Sequence, residues 1–141
     1  MTKCKRTQII DMKENLNHIV ESHGVAVEDG EIFLRAKGLP SALVSSDGRV
    51  FSLKTYRILK SGYNRKGYER IATELCGIKL NVNVARLVAV TFGKDVPFRY
   101  HQRFFHAHHI NGEKNDNRSV NLELITTKEH RAIHKALREV D

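Results

Sequence analysis

The stretch HAHHINGEKNDNRSVNLELITTKEHRAIH, residues 106–134, holds five of the chain's eight histidines, two of them adjacent and two spaced four apart. Histidine serves both as a neutral metal ligand and as a proton acceptor near neutral pH, so the cluster asks for a chemical reading. Local patterns supply its frame. Residues 104–110 read as a strand, INGEKNDNRS as a polar loop rich in turn formers, and VNLELIT as a second short strand. Thr126 and Glu129 then form a capping-box pattern that starts a helix just before His130. On that helix His130 and His134 share a face one turn apart, a spacing that lets two imidazoles meet one ion.

The order strand, loop, strand, helix is a ββα unit. Adjacent side chains on a strand point to opposite faces, so His108 and His109 cannot easily bind the same ion. They divide the labour: one faces the helix and joins His130 and His134 on a metal, and the other stays free to take a proton. His106 shares the face of His108 and is read as a surface histidine, the alternative being a supporting role behind the ligands.

Working outward, the net charge is +8, and its placement says more than its size. Acids and bases balance in residues 1–40 and again in 106–141, so the excess lies in 41–105, with twelve Lys or Arg against four Asp or Glu. Such a face raises the local concentration of polyanions and is the footprint of a nucleic-acid binder, the plain alternative being a solvated surface. Hydrophobic content of 40% suits a globular fold, and no apolar run approaches the roughly 20 residues that span a bilayer. The N-terminus lacks the uninterrupted apolar segment of a secretion signal, so no membrane partner and a cytoplasmic location are expected. Cys4 and Cys76, without metal-knuckle spacing or disulfide density, are expected to be free thiols.

Ile9, Ile10, Met12, Leu16, Ile19 and Val20 follow a helical period, and Gly24 stands where the helix would stop. Beyond it the pattern shifts to short apolar runs, with Asp47-Gly48 expected as a two-residue hairpin turn. A glycine-bounded basic loop follows at 61–67, and Tyr56, Tyr63 and Tyr68 interleave with Lys54, Arg57, Lys60, Arg65, Lys66 and Arg70. A β-ribbon of that composition can enter a groove of DNA with its cations on phosphate, or half-bury its tyrosines against the core. NVNVARLVAVTFG, near 82–92, reads as a buried helix capped by Asn81 or Asn83, with Arg86 its one cation. Arg99, Arg103 and Arg118 are further candidates to clamp a phosphate. The fold class expected is therefore α+β: an N-terminal helix and extension in 1–44, a basic β-rich segment in 45–103, and a C-terminal ββα-metal unit in 104–141.

HHINGEKNDNRSVNLELITTKEH resembles the motif of the HNH nucleases. DGRVFSLKT, Gly67-Tyr68 and ARLVAVTFG are similar to what precedes that motif in phage-encoded, free-standing HNH homing endonucleases, so the resemblance covers about residues 45–134. It implies His108 as first metal ligand, His109 as general base, Asn121 as the asparagine that braces the hairpin and the base, and His130 as the final ligand. His134 would be the additional helix ligand of members that use a third histidine, and Asn117 a loop asparagine that ties the turn. Two departures stand out. Ala85-Arg86 replaces the His-Arg of many relatives, and the helix-turn-helix tail of many homing relatives is missing, which leaves recognition of a long site to residues 1–80 or a second subunit. The activity implied is metal-dependent hydrolysis of double-stranded DNA to 5′-phosphate and 3′-hydroxyl ends, by a monomer or homodimer, in the host cytoplasm if phage-encoded. Histidine ligands favour Zn, Ni, Co or Mn, while Mg is more abundant but prefers oxygen. The rivals are a zinc-stabilised DNA-binding module without catalysis, which ordinarily needs four ligands including cysteine, and a nuclease of low specificity acting on RNA.

Overall fold

The computed structural model describes residues 14–93 and 105–139, so Cys4, Ile9, Ile10, Met12, Arg99 and Arg103 lie outside the described residues. The architecture is α+β, as expected: three small antiparallel sheets gathered around one buried helix. β1 (Phe33–Arg35), β2 (Ala42–Ser45) and β3 (Val50–Ser52) form the first sheet in that order. All four residues of β2 are buried because the sheet is covered on both faces. Alternation sends Ala42 and Val44, with Val50, into a core shared with the central helix, and sends Leu43, with Phe33 and Phe51, into a second core under α1 (Asn17–Ser22). The described part of the N-terminal helix is thus only the stretch from Asn17, held by the buried Val20 and by Leu16 just before it. The domain boundary expected at 44/45 falls inside β2, since the apolar run that crosses it is one strand.

The β2–β3 turn has three residues rather than two. Ser45 N–H donates to Arg49 O at 2.7 Å, Gly48 N–H donates to Ser45 O at 3.0 Å, and Gly48 takes φ +92°, which glycine alone adopts without strain. Beside it Arg49 pairs with Glu31, a carboxylate only 2% exposed, donating through Nε at 2.9 Å and through Nη2, which also reaches Ala26 O at 2.8 Å. Burial pushes the Glu31 carboxyl up, but hydrogen bonds from Arg49, Ser45 and the Glu28 N–H outweigh it and hold it below its ordinary value.

β4 (Ser61–Tyr63), β5 (Glu69–Leu75) and β6 (Ile78–Asn83) form the second sheet. Of the two expected caps Asn83 is the one used, its side chain accepting from Arg86 N–H at 3.1 Å, while Asn81 and Val82 pair with β5. The helix α2 (Val84–Phe92) follows at once, with Val84, Ala85, Leu87, Val88, Ala89, Val90 and Thr91 all buried. A helix apolar on nearly every side belongs inside, and each fully buried Val or Leu contributes on the order of 1.5–3 kcal/mol. α2 touches β2, β5, β6, β7 and β8, and so packs against all three sheets. Cys76, in the turn between β5 and β6, is disulfide-bonded, which corrects the expectation of a free thiol at that position.

The third sheet pairs β7 (Phe105–His109) with β8 (Leu122–Thr126), and α3 (Thr127–Glu139) completes the expected ββα unit. The capping box forms: Thr126 Oγ1 accepts from Glu129 N–H at 3.1 Å and donates to Glu129 Oε1 at 2.9 Å. No helix among the described residues is long and apolar enough to cross a membrane.

Candidate active site

Strand alternation on β7 puts His106 and His108 on one face and His109 on the other, so the adjacent histidines separate into two environments. On the α3 face His130 Nε2 and His134 Nε2 lie 3.1 Å apart, while the His106 ring stacks on His130 at 4.4 Å and 12°. Burial lowers the pKa of His130, and the neighbouring His106, His134 and His108 lower it further. His106 is lowered by burial, then by Arg86, Arg131 and His134. Both imidazoles are thereby biased toward the neutral form that a metal needs.

Two nitrogens facing each other at that separation fit one ion held by bonds of about 2.0–2.1 Å. His130 and His134 are therefore the pair that fits a divalent cation. Among the described residues no group of three His, Cys, Asp or Glu converges into a closed metal site. Of the three ligands expected, the structure joins two. His108 shares their side of the sheet and influences His130 electrostatically, and the imidazole in ring contact with His130 is His106. His106 is thus not simply a surface histidine: its stacking on His130 fits the alternative of a supporting role, for which the shared face with His108 was the signal.

His109, on the opposite side, is 7% exposed. Its Nε2 meets Asn117 Oδ1 at 2.8 Å, and the Tyr68 ring stands 6.1 Å away, centroid to centroid. Tyr68 is delivered by the β4–β5 turn, where Asn64 Oδ1 accepts from the N–H groups of Lys66 and Tyr68, both at 3.0 Å. Lys114 closes the arrangement, its ammonium 4.9 Å from the Tyr68 ring centre and donating to Lys66 O at 2.8 Å. The tyrosine interleaved with cations is thus part of the histidine's wall, whereas Tyr63 is 61% exposed at the outer rim. Neither Lys114 nor the Asn117–His109 contact was legible in the sequence, because each joins segments whose distance depends on the packed fold.

Asn121 is buried and braces the loop. Its Oδ1 accepts from Asn111 N–H at 3.0 Å, its Nδ2 donates to Asn111 Oδ1 at 3.0 Å and Asp116 O at 2.9 Å, and its own carbonyl accepts from Ile110 N–H at 2.9 Å. The 3-10 turn Ser119–Asn121 carries it into β8. No hydrogen bond links its side chain to His109; its reach is to the loop.

The cations divide into two sets. Arg118 Nε and Nη2 grip Asp116 at 2.8 and 2.9 Å, and this contact holds the Asp116 carboxyl far below the usual carboxylate range. Arg70 donates to Asn81 Oδ1 and O, Arg86 to Phe105 O at 3.1 Å, and Lys54 lies 3.8 Å from Glu74. These four are engaged within the fold. Arg57, Lys60, Arg65 and Lys66 are exposed, and none pairs with an acid among the described residues.

A ββα unit carrying a histidine pair on its helix and a walled histidine on its first strand, preceded by a basic hairpin, is the arrangement in which sequence and fold together liken the chain to the HNH endonucleases. It is similar to two uncharacterised HNH endonucleases of Acanthamoeba polyphaga mimivirus. One is 30% identical over 105 residues, 71% of this chain and 30% of that protein; the other is 35% identical over 95 residues, 67% and 23%. Among solved structures it resembles the HNH homing endonuclease I-HmuI, described for DNA binding and cleavage, with a TM-score of 0.63 and 28% identity over 77% of this chain and 60% of that one. The chain spans less than a third of the length of the two viral relatives. No family model matches the sequence.

Proposed function

We propose that the chain is a metal-dependent DNA endonuclease that hydrolyses a phosphodiester bond to a 5′-phosphate and a 3′-hydroxyl. One observation carries this reading: the two adjacent histidines of β7 occupy opposite faces, His108 on the side of the His130–His134 pair and His109 in a separate walled position. His109 takes a proton from water, the resulting hydroxide oxygen bonds to phosphorus, and the bond to the 3′ oxygen breaks, that oxygen taking a proton from solvent while His109 returns its own to solvent. His130 and His134 would hold a divalent cation, with His108 on the same side of the sheet, and the bound ion would supply positive charge for the phosphate and the leaving oxygen. Asn121 keeps the loop behind the base in shape.

Double-stranded DNA is the partner, gripped through Arg57, Lys60, Arg65 and Lys66, and the turn that carries Arg65 and Lys66 is tied to the His109 wall by Tyr68 and Lys114. The chain acts as a monomer or homodimer in the cytoplasm. The test is incubation of purified protein with supercoiled plasmid and Mg, Mn, Zn, Ni or Co, each against a chelator control. Nicked or linear product with at least one ion and none with chelator is expected; intact plasmid under every ion would overturn the proposal.

A further inference from the structure

We propose that Asn117 is a positioning residue for His109: its side-chain oxygen holds the imidazole by Nε2–H and so commits Nδ1 as the nitrogen that receives a proton. The inference rests on the nuclease reading above for the purpose of that nitrogen, but not for the contact itself. His109 Nε2 and Asn117 Oδ1 are 2.8 Å apart, and both residues are buried, at 7% and 4% exposed. A neutral imidazole has one donor nitrogen and one acceptor, and the bond made by one decides the state of the other. An amide oxygen only accepts here, so it fixes the tautomer without adding a charge next to a site meant for phosphate.

Asn117 is itself seated by the β2–β3 turn. A Cβ on Gly48 would lie 3.1 Å from both the Cβ and the carbonyl oxygen of Asn117, so any larger residue would push Asn117 away by a few tenths of an ångström. The same turn accepts a 2.7 Å hydrogen bond at Ser46 O from Ser119 N–H, two residues beyond Asn117. The Tyr68 ring stands at the histidine from another segment. Asn117 Nδ2 is buried with no hydrogen-bond partner among the described residues. Buried amides are normally satisfied at every atom, and an exception points to a residue kept for one contact rather than for stability. Here that contact is the oxygen on His109.

Asn117→Leu keeps the volume against Gly48 and removes the oxygen, while Asn117→Asp keeps an oxygen in place. Two readouts are compared in wild type and both variants: the 15N tautomer signature of His109 in the metal-free protein, and kcat and KM for plasmid cleavage. Wild type should show one tautomer, protonated at Nε2, and the Leu variant a mixture. Losing a support that orients a reacting histidine should lower kcat by about 10- to 100-fold, with KM within about twofold and kcat largely restored by Asp. If the Leu variant melts early, Asn117→Ser, whose hydroxyl is too short to reach Nε2, carries the same comparison. Wild-type kcat in the Leu variant, or a wild-type His109 protonated at Nδ1, would overturn the inference. Failure of wild type to cut DNA would sink the nuclease reading instead, and the tautomer measurement would still decide the contact.

Discussion

Replacing Gly48 with alanine tests the seat of the active-site loop, and a second glycine makes the test quantitative. Gly48 has φ +92° and Gly38 has φ +81°, so an L side chain at either pays the same left-handed backbone cost, about 1–2 kcal/mol. At Gly38 a new Cβ meets nothing within 4 Å; at Gly48 it meets Asn117 Cβ and O at 3.1 Å. Overpacking of that kind adds about 1–3 kcal/mol. Gly48→Ala should therefore destabilise by about 2–5 kcal/mol and Gly38→Ala by about 1–2, read from urea unfolding of each protein. The rate should separate them further. A misplacement of 1 Å costs on the order of 100-fold in rate, so relief of the contact by a few tenths of an ångström should slow cleavage about 3- to 10-fold through Asn117 and His109. Gly38→Ala should cut DNA at the wild-type rate. Equal destabilisation of the two variants, with an unchanged rate for Gly48→Ala, would refute the seat.

Cleavage by His109→Ala should fall by about 10² to 10⁴-fold with metal content unchanged; loss of bound metal in that variant would exchange the roles of His108 and His109. His130→Ala and His134→Ala should each weaken metal binding, and the wild type should melt lower with chelator than with a bound ion; calorimetry showing equal melting would remove the shared ion. Arg65→Ala combined with Lys66→Ala should flatten the slope of log affinity for duplex DNA against log salt by about one to two units, measured across a salt series. Glu31 has a folded pKa below its ordinary value, so its stabilisation is fully present above about pH 4.3 and is lost as pH falls through the folded value. Melting curves from pH 7 to 3 should therefore fall less steeply for Glu31→Gln than for wild type, and parallel curves would rule this pair out as an acid-sensitive anchor.

What the sequence disclosed was local or periodic. The capping box at Thr126 and Glu129, the opposite facing of His108 and His109, and the i,i+4 pairing of His130 and His134 follow from spacing alone, and each is present. The boundary of α2 was displaced because NVNV suits a strand as well as a helix, and pairing with β5 decided for the strand. A run of apolar residues at 42–44 could not reveal that β2 is covered on both faces, since that depends on which elements arrive later in the chain. The cations show the same limit. Composition counts Arg70, Arg86 and Arg118 as free charge, but an asparagine, a carbonyl and an aspartate within reach engage them in the fold. The wall of His109 draws Tyr68, Lys114, Asn117 and the Gly48 turn from across about seventy residues, and no window of sequence contains it.

The central position of α2 bears on how the molecule comes apart. A helix whose buried side chains serve all three sheets has no side that belongs to one of them, so removing any sheet strips apolar surface from the same nine residues. The ββα unit and the basic hairpin therefore do not unfold as independent blocks. Amide hydrogen exchange should find the α2 protons among the slowest in the chain, opening only with global unfolding, while the half-exposed α3 exchanges through smaller local openings. A graft of residues 105–139 alone onto another DNA-binding scaffold would carry the histidines but leave behind the helix against which their strands are packed.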